Sequence, residues 1–284
     1  MGSSMSTTAL YERLTPCKIY CPPKPASYAH SRDIVMLSTI DSNRIACRMF
    51  APFQDNVDSF ADYKNRHMTI LFSHGNADDI GTSASYCQWL ADSLGCNVVS
   101  YDYVNYGVSD KVETTEHNMN HSIEAVYGYL RGSLQIPASR IFFFGKSLGT
   151  VPTVHLASQP YVEEIAGIVL VSPLASGARV LLTKTRFPAS IMEQLDDLFA
   201  PNIKKIGSVR RPVMIIHGTE DAVVPVQNSH DLFNQLKDGV DYPPLWVHAG
   251  HNDIESRYKS LFISSINHFF IHCTPAHEDK LIEP

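Results

Sequence analysis

Between Ile141 and Gly149 an unbroken apolar run, Ile-Phe-Phe-Phe, passes straight into Gly145-Lys146-Ser147-Leu148-Gly149. A short apolar run that ends at a turn residue has the length of a buried strand. Gly-x-Ser-x-Gly is the spacing a serine requires on a sharp strand-to-helix turn, where the backbone is strained and Oγ is pushed out above a sheet. Side chains two residues either side would collide, so Gly145 and Gly149 leave room. The following residues, Thr150 to Ser158, read as a helix whose first turn tolerates Pro152. Such a turn aims the Leu148 N–H at the place where an oxyanion would form. A passive serine in a glycine-rich turn has the same pattern; the strand before it and the helix after it favour the reactive reading.

The rest of the chain repeats this alternation. Strands are expected over Asp33 to Thr39, Arg44 to Phe50, Met68 to Ser73, Cys96 to Tyr101, Ile165 to Val171, Arg211 to His217 and Leu245 to His248. Helices are expected over Ser83 to Leu94 (with Gly95 as C-cap), Thr115 to Arg131, Gln227 to Leu236 and Ile254 to His272. Strands separated by such helices imply a mostly parallel sheet flanked by helices, an α/β fold. Polar punctuation falls at the carboxyl ends of the strands, where such sheets bind ligands. Residues 1–30, rich in Ser, Thr and Pro, read as an extended, poorly packed arm; residues 31–284 read as one domain. Residues 175 to 209 form a partly helical insertion.

A serine hydroxyl needs a base, and the base needs an orienting carboxylate. Asp221 follows the strand that ends at His217, and His251 follows the strand Leu245 to His248, so Ser147, Asp221 and His251 share one edge of the sheet. Glu220 and Asp253 compete for the acid role, with Asp253 better suited to a helix N-terminus. His74-Gly75-Asn76-Ala77 follows an earlier strand, where a second oxyanion donor belongs. The backbone N–H of Asn76 is the first choice and that of Ala77 the second, with His74 holding the loop. In the insertion, a helix packed on the sheet is the simpler account. A small cap bordering an acyl groove lined by Leu181, Leu182, Phe187, Ile191, Met192 and Leu195 is the sharper one. His117/His121 and His268/His272 are spaced i, i+4, but neither pair encloses the Glu of His-Glu-x-x-His. Both read as solvated helix faces, and no metal or organic cofactor is expected.

A net charge of −6 without a Lys/Arg-rich run argues against nucleic-acid binding through phosphates. The six cysteines include no Cys-x-x-Cys pair, which fits reduced thiols. No apolar stretch is long enough to span a membrane. Met1-Gly2-Ser3-Ser4-Met5-Ser6 fits the loose pattern for myristoylation of Gly2.

With these residues in place the chain resembles the α/β-hydrolase superfamily past residue 30, and most of all the α/β-hydrolase domain-containing protein 17 family. The segments that carry this are His74-Gly75-Asn76-Ala77, Tyr101-Asp102-Tyr103 with Tyr106-Gly107-Val108-Ser109, Ser147-Leu148-Gly149-Thr150-Val151-Pro152-Thr153, Ser172-Pro173-Leu174 with Ser176-Gly177, His217-Gly218-Thr219-Glu220-Asp221 and Gly250-His251-Asn252-Asp253-Ile254-Glu255; the elbow and the three residues Ser147, Asp221 and His251 are general to the superfamily. Thr150-Val151-Pro152-Thr153 and His251-Asn252-Asp253-Ile254-Glu255 are more family-specific. The resemblance implies a membrane-associated serine hydrolase that removes palmitate from protein cysteines, with Ser147 as nucleophile, Asp221 as acid and His251 as base. It also implies S-acylated proteins as partners and a place on the cytoplasmic side, peripheral at the plasma membrane or endosomes, with the cytosol as the alternative. Two departures stand out. Only Cys17 and Cys21 precede Pro22-Pro23, where the family carries a larger lipidated cluster, so Gly2, Cys17 and Cys21 are the candidate lipidation sites. Lys146 occupies an elbow position expected to be uncharged. A carboxylesterase or lipase acting on small lipid esters would use the same residues, and a non-catalytic interaction module would be expected to lack one of them.

Overall fold

The computed structural model describes residues 19–53, 68–162, 164–182 and 188–274. Eight strands make one sheet: β1 (Ile34–Ser38), β2 (Arg44–Phe50), β3 (Thr69–Ser73), β4 (Asn97–Tyr101), β5 (Ile141–Lys146), β6 (Gly167–Val171), β7 (Val213–Gly218) and β8 (Leu245–Val247). Their order is β1-β2-β4-β3-β5-β6-β7-β8. The β1–β2 and β2–β4 pairs are antiparallel, and every other pair is parallel.

The central strands read as continuous apolar runs because both faces are covered. Leu71, Phe143, Leu170 and Ile215 point into one core layer. Phe72, Phe142, Val169 and Ile216 point into the other. Helices α2 (Glu116–Gly128) and α3 (Thr150–Ala157) close the first layer with Met119, Ile123, Val151 and Val154. Helices α1 (Ile80–Leu94) and α9 (Lys259–Cys273) close the second, where Phe270 stacks on Phe142 at 3.8 Å between ring centres.

Boundaries shift where local chemistry intervenes. Helix α1 begins before Ser83 because Asp79 and Thr82 form a capping box. It ends at Gly95, whose φ of 59° makes it the left-handed C-cap. The expected helix over Thr115 to Arg131 stops at Gly128 and continues as one π-turn, Tyr129–Ser133. The C-terminal helix is broken at Tyr258 into α8 (Ile254–Arg257) and α9. The insertion holds α4 (Gly177–Leu181), α5 (Ala189–Asp196) and α6 (Asn202–Lys205). Arg179 ties it down, paired with Asp196 on α5 and with Asp231 on α7 (Gln227–Phe233).

The described part of the arm is packed, contrary to the loose segment expected from its composition. Tyr20 is buried with its ring edge-on to Phe199. The Ser27 N–H donates to Asp79 at 2.8 Å, and the Tyr28 hydroxyl donates to Asp102. Polar and proline-rich composition hides these contacts because single aromatic and hydroxyl anchors carry them.

Candidate active site

Ser147 follows β5 with φ +52°, the left-handed backbone region that a side chain rarely occupies. The flanking glycines are required by contact. A Cβ on Gly149 would stand 2.0 Å from the Ser73 carbonyl oxygen, and one on Gly145 would stand 2.8 Å from the Gly149 oxygen. The turn is fastened by threonines: Thr150 Oγ1 donates to Ser147 O at 2.7 Å, and Thr153 Oγ1 donates to Gly149 O at 2.8 Å.

The strand ends bring the other two residues to it. Ser147 Oγ lies 3.0 Å from His251 Nε2, and His251 Nδ1 lies 2.6 Å from Asp221 Oδ2. Asp221 is buried and accepts four hydrogen bonds. His251 and His217 meet Oδ2, and the N–H groups of Val223 and Val224 meet Oδ1 at 2.8 Å each. Burial alone would push the Asp221 carboxyl up; the bonds from His217 and His251, with the Val224 N–H, outweigh it and hold the group well below the usual carboxylate range. With the carboxylate ionised, Nδ1 of His251 carries a proton and Nε2 is free to accept one from Ser147.

The competing acids are occupied elsewhere. Asp253 Oδ1 accepts from the Gly250 N–H at 2.6 Å, and Oδ2 faces Arg257. Glu220 pairs with His248 near the surface.

His74 lies in the turn after β3 and holds it as expected. Its Nδ1 donates to Gly75 O at 2.8 Å, and its ring packs on Tyr103 and Tyr106. The Leu148 N–H heads the short helical turn after Ser147, where an N–H has no intrahelical partner. Asn76 follows β3, the strand paired with β5. Its side chain clasps the arm: Oδ1 accepts from the Cys21 N–H at 2.9 Å and from the Tyr106 hydroxyl at 2.8 Å, and Nδ2 donates to Ile19 O at 2.6 Å.

The five groove candidates among the described residues do not form one lining. Leu195 is buried, and Leu182 and Met192 pack with it and Ala178 in a small satellite cluster that Ile19 of the arm also joins. Leu181 and Ile191 face solvent at 52% and 42% exposure, because short amphipathic helices leave one side uncovered. Phe187 lies outside the described residues, as do Gly2 and Cys17. Cys21 is a free, exposed thiol. Among the described residues no helix is long and apolar enough to cross a membrane.

Two contributors escaped the sequence reading. His217 Nε2 lies 3.1 Å from Asp221 Oδ2 and 2.8 Å from Val224 O, both acceptors, so Nε2 carries the proton. Its Nδ1, 2.5 Å from Ser229 Oγ, then accepts from that hydroxyl. Glu255 pairs with Lys146 at 2.7 Å, and the Lys146 ammonium lies 4.9 Å from the centre of the Tyr86 ring. The charge at Lys146 is thereby neutralised within the elbow. A histidine at the end of an apolar strand and an acid four residues after His251 were the available signals, and neither identifies its partner in the chain.

A family model described as serine aminopeptidase, S33 matches residues 64–203. The chain is 42% identical to human alpha/beta hydrolase domain-containing protein 17B over 78% of its own length and 69% of the relative's. It is 37% identical to alpha/beta hydrolase domain-containing protein aho-3 of Caenorhabditis elegans over 82% of its length, and spans 64% of that relative. Among solved structures, the Pyrococcus furiosus esterase Pf2001 superposes with a TM-score of 0.67 at 17% identity, over 89% of this chain and 98% of the esterase. The fold is that of the α/β-hydrolases.

Proposed function

Because the chain belongs to the α/β-hydrolase domain-containing protein 17 family, we propose that it is a serine hydrolase that cleaves acyl thioesters, with S-palmitoylated proteins as its favoured substrates. The observation that carries this reading is Ser147 Oγ, held in a left-handed turn 3.0 Å from His251 Nε2. His251 takes the Ser147 proton as Oγ attacks the acyl carbonyl carbon. The N–H groups of Leu148 and Asn76 receive the oxyanion. The tetrahedral adduct collapses, the C–S bond breaks and the cysteine leaves as a thiol with the proton from His251, which returns the imidazole to its neutral form. Water, deprotonated by His251, then attacks the acyl-serine, and His251 returns that proton to Ser147 Oγ as the fatty acid leaves. Asp221 keeps the imidazole in the tautomer this requires and stabilises the imidazolium. No step calls for a metal or organic cofactor.

A thiolate is a good leaving group, so selectivity falls to the acyl site and to the way substrates are presented. Each buried methylene is worth about 0.8 kcal/mol, so even a partly enclosed chain of sixteen carbons is favoured over acetyl. Apolar side chains for such a site are offered by the partly buried Leu182, Met192 and Ile19 around Leu195. Attachment to the cytoplasmic face of a membrane through Gly2 with Cys17 or Cys21 would supply the two signals that stable anchoring needs, and would concentrate the enzyme among lipidated proteins.

The test is a chain-length series on matched thioester peptides with purified protein. Turnover rising toward sixteen carbons is expected. Turnover confined to two- to four-carbon acyl groups would instead favour an esterase of small esters, the reading that the solvent-facing Leu181 and Ile191 support.

A further inference from the structure

The i, i+4 pair His117/His121 lies on the first turns of α2, away from Ser147. The sequence alone offers it no third partner. In the fold, Asp41 of the β1–β2 turn comes to meet it from eighty residues before His121. Asp41 Oδ2 lies 2.5 Å from His121 Nδ1 and 3.6 Å from His117 Nε2. One ligand atom from each of the three residues falls within 4.8 Å of the others.

From this convergence we infer that Asp41, His117 and His121 form a binding site for a divalent transition cation, zinc being the best fit. Two imidazoles and one carboxylate are a zinc donor set, and three protein ligands leave a fourth position for water. Bonds of about 2.0–2.2 Å in tetrahedral array put donor atoms roughly 3.3 Å apart. The observed separations bracket that spacing, and small rotations of exposed side chains close the difference.

An ion pair with Asp41 would occupy a single imidazole. Here the second ring stands with its centre 4.0 Å from the first and faces the same carboxylate oxygen.

Both supports are firm. The histidines sit one turn apart on a helix of thirteen residues. The turn is closed by bonds from Thr39 N to Asn43 O at 2.8 Å and from Ser42 N to Thr39 O at 2.9 Å, with Ser42 at φ +64°. The bound cation would staple the antiparallel end of the sheet to α2, the helix that packs against α3 behind the elbow. Because His117 is two-thirds exposed, the site is open to exchange with solvent.

His268 and His272 supply an internal control. They have the same spacing on α9, but no third ligand joins them in a comparable cluster among the described residues. The full chain, stripped with chelator, is titrated with zinc by calorimetry and with cobalt by visible absorption. One equivalent is expected to bind, with the intense absorption bands of low-coordinate cobalt and a rise in Tm. His117→Ala, His121→Ala and Asp41→Asn should each weaken binding at least tenfold, and the double variant His268→Ala/His272→Ala should leave it unchanged. Labelling of Ser147 by a fluorophosphonate probe checks that every variant is folded. The proposal is overturned if folded wild-type protein takes up no cation at micromolar concentrations. It is equally overturned if uptake survives His117→Ala/His121→Ala, which would place the cation on another group such as the exposed Cys21 thiol.

Discussion

Replacing Lys146 with methionine removes one charge from the elbow and leaves a stem of similar length against Tyr86. The Lys146 and Glu255 side chains are 18% and 12% exposed, with 2.7 Å between Nζ and Oε1. Exposed pairs contribute less than about 1 kcal/mol, whereas stranding one partner of a fully buried pair costs about 3–5 kcal/mol. At this depth the loss is expected near 2 kcal/mol, with roughly 0.5 kcal/mol more from the ammonium leaving the Tyr86 ring. Lys146→Gln can still donate to Glu255 and should cost about half as much. The same pair joins the residue before Ser147 to the first helical turn after His251, so its loss should also loosen the 3.0 Å contact between Ser147 and His251. A penalty of about 1.4 kcal/mol there is a tenfold slower reaction. The assay is a double-mutant cycle of Lys146→Met and Glu255→Gln, read by denaturant unfolding and by the rate of fluorophosphonate labelling. A coupling energy of at least about 1 kcal/mol in both readouts is expected. If the two substitutions add without coupling, within about 0.3 kcal/mol, the pair does not bind the elbow to the histidine loop and the reasoning fails.

Other expectations concern the same site. Ser147→Ala should abolish fluorophosphonate labelling, and a labelled variant would place the nucleophile elsewhere. Asp221→Asn should keep the fold and cut turnover by about 10³–10⁴ through the wrong imidazole tautomer, whereas Glu220→Gln and Asp253→Asn should change it by less than about tenfold. A severe loss in Asp253→Asn alone would reassign the acid. The folded-state carboxyl of Asp221 is depressed, so its contribution to stability is complete above the unfolded value of about 3.9 and is lost as pH falls below it. Unfolding followed from about pH 5 to pH 2 should therefore show a steeper acid loss in wild type than in Asp221→Asn, and parallel curves would contradict it. Gly149→Ala should fail to give labelled protein, since its Cβ would meet Ser73 O at 2.0 Å.

The strands, the elbow and the order Ser, Asp, His were legible because each is written locally. An apolar run, a glycine spacing and a polar residue just past a strand end are all visible without partners. Helix α1 was placed three residues late because a capping box depends on side chains, not on periodicity. The separate helices of the insertion were not delimited, since helices as short as α4 and α6 lack a full amphipathic period and are held by distant ion pairs, Arg179 of α4 to Asp196 and Asp231, and Lys205 of α6 to Glu116. His217, Lys146–Glu255 and the meeting of Asp41 with His117 and His121 share one property. Each joins residues far apart in sequence or on different elements, and a single chain read in order carries no sign of such a meeting.

The Asn76 clasp settles where the upstream segment leaves the body. It grips Ile19 and Cys21 at the turn after β3, on the edge of the sheet that carries Ser147. Anything attached further upstream therefore departs from the rim of the site and not from its far side. A chain extends at most about 3.6 Å per residue, so an attachment at Cys17 stays within about 7 Å of Ile19, and one at Gly2 within about 60 Å. Under the proposed anchoring, attachment at Cys17 would therefore keep Ser147 closer to a surface than attachment at Gly2 requires.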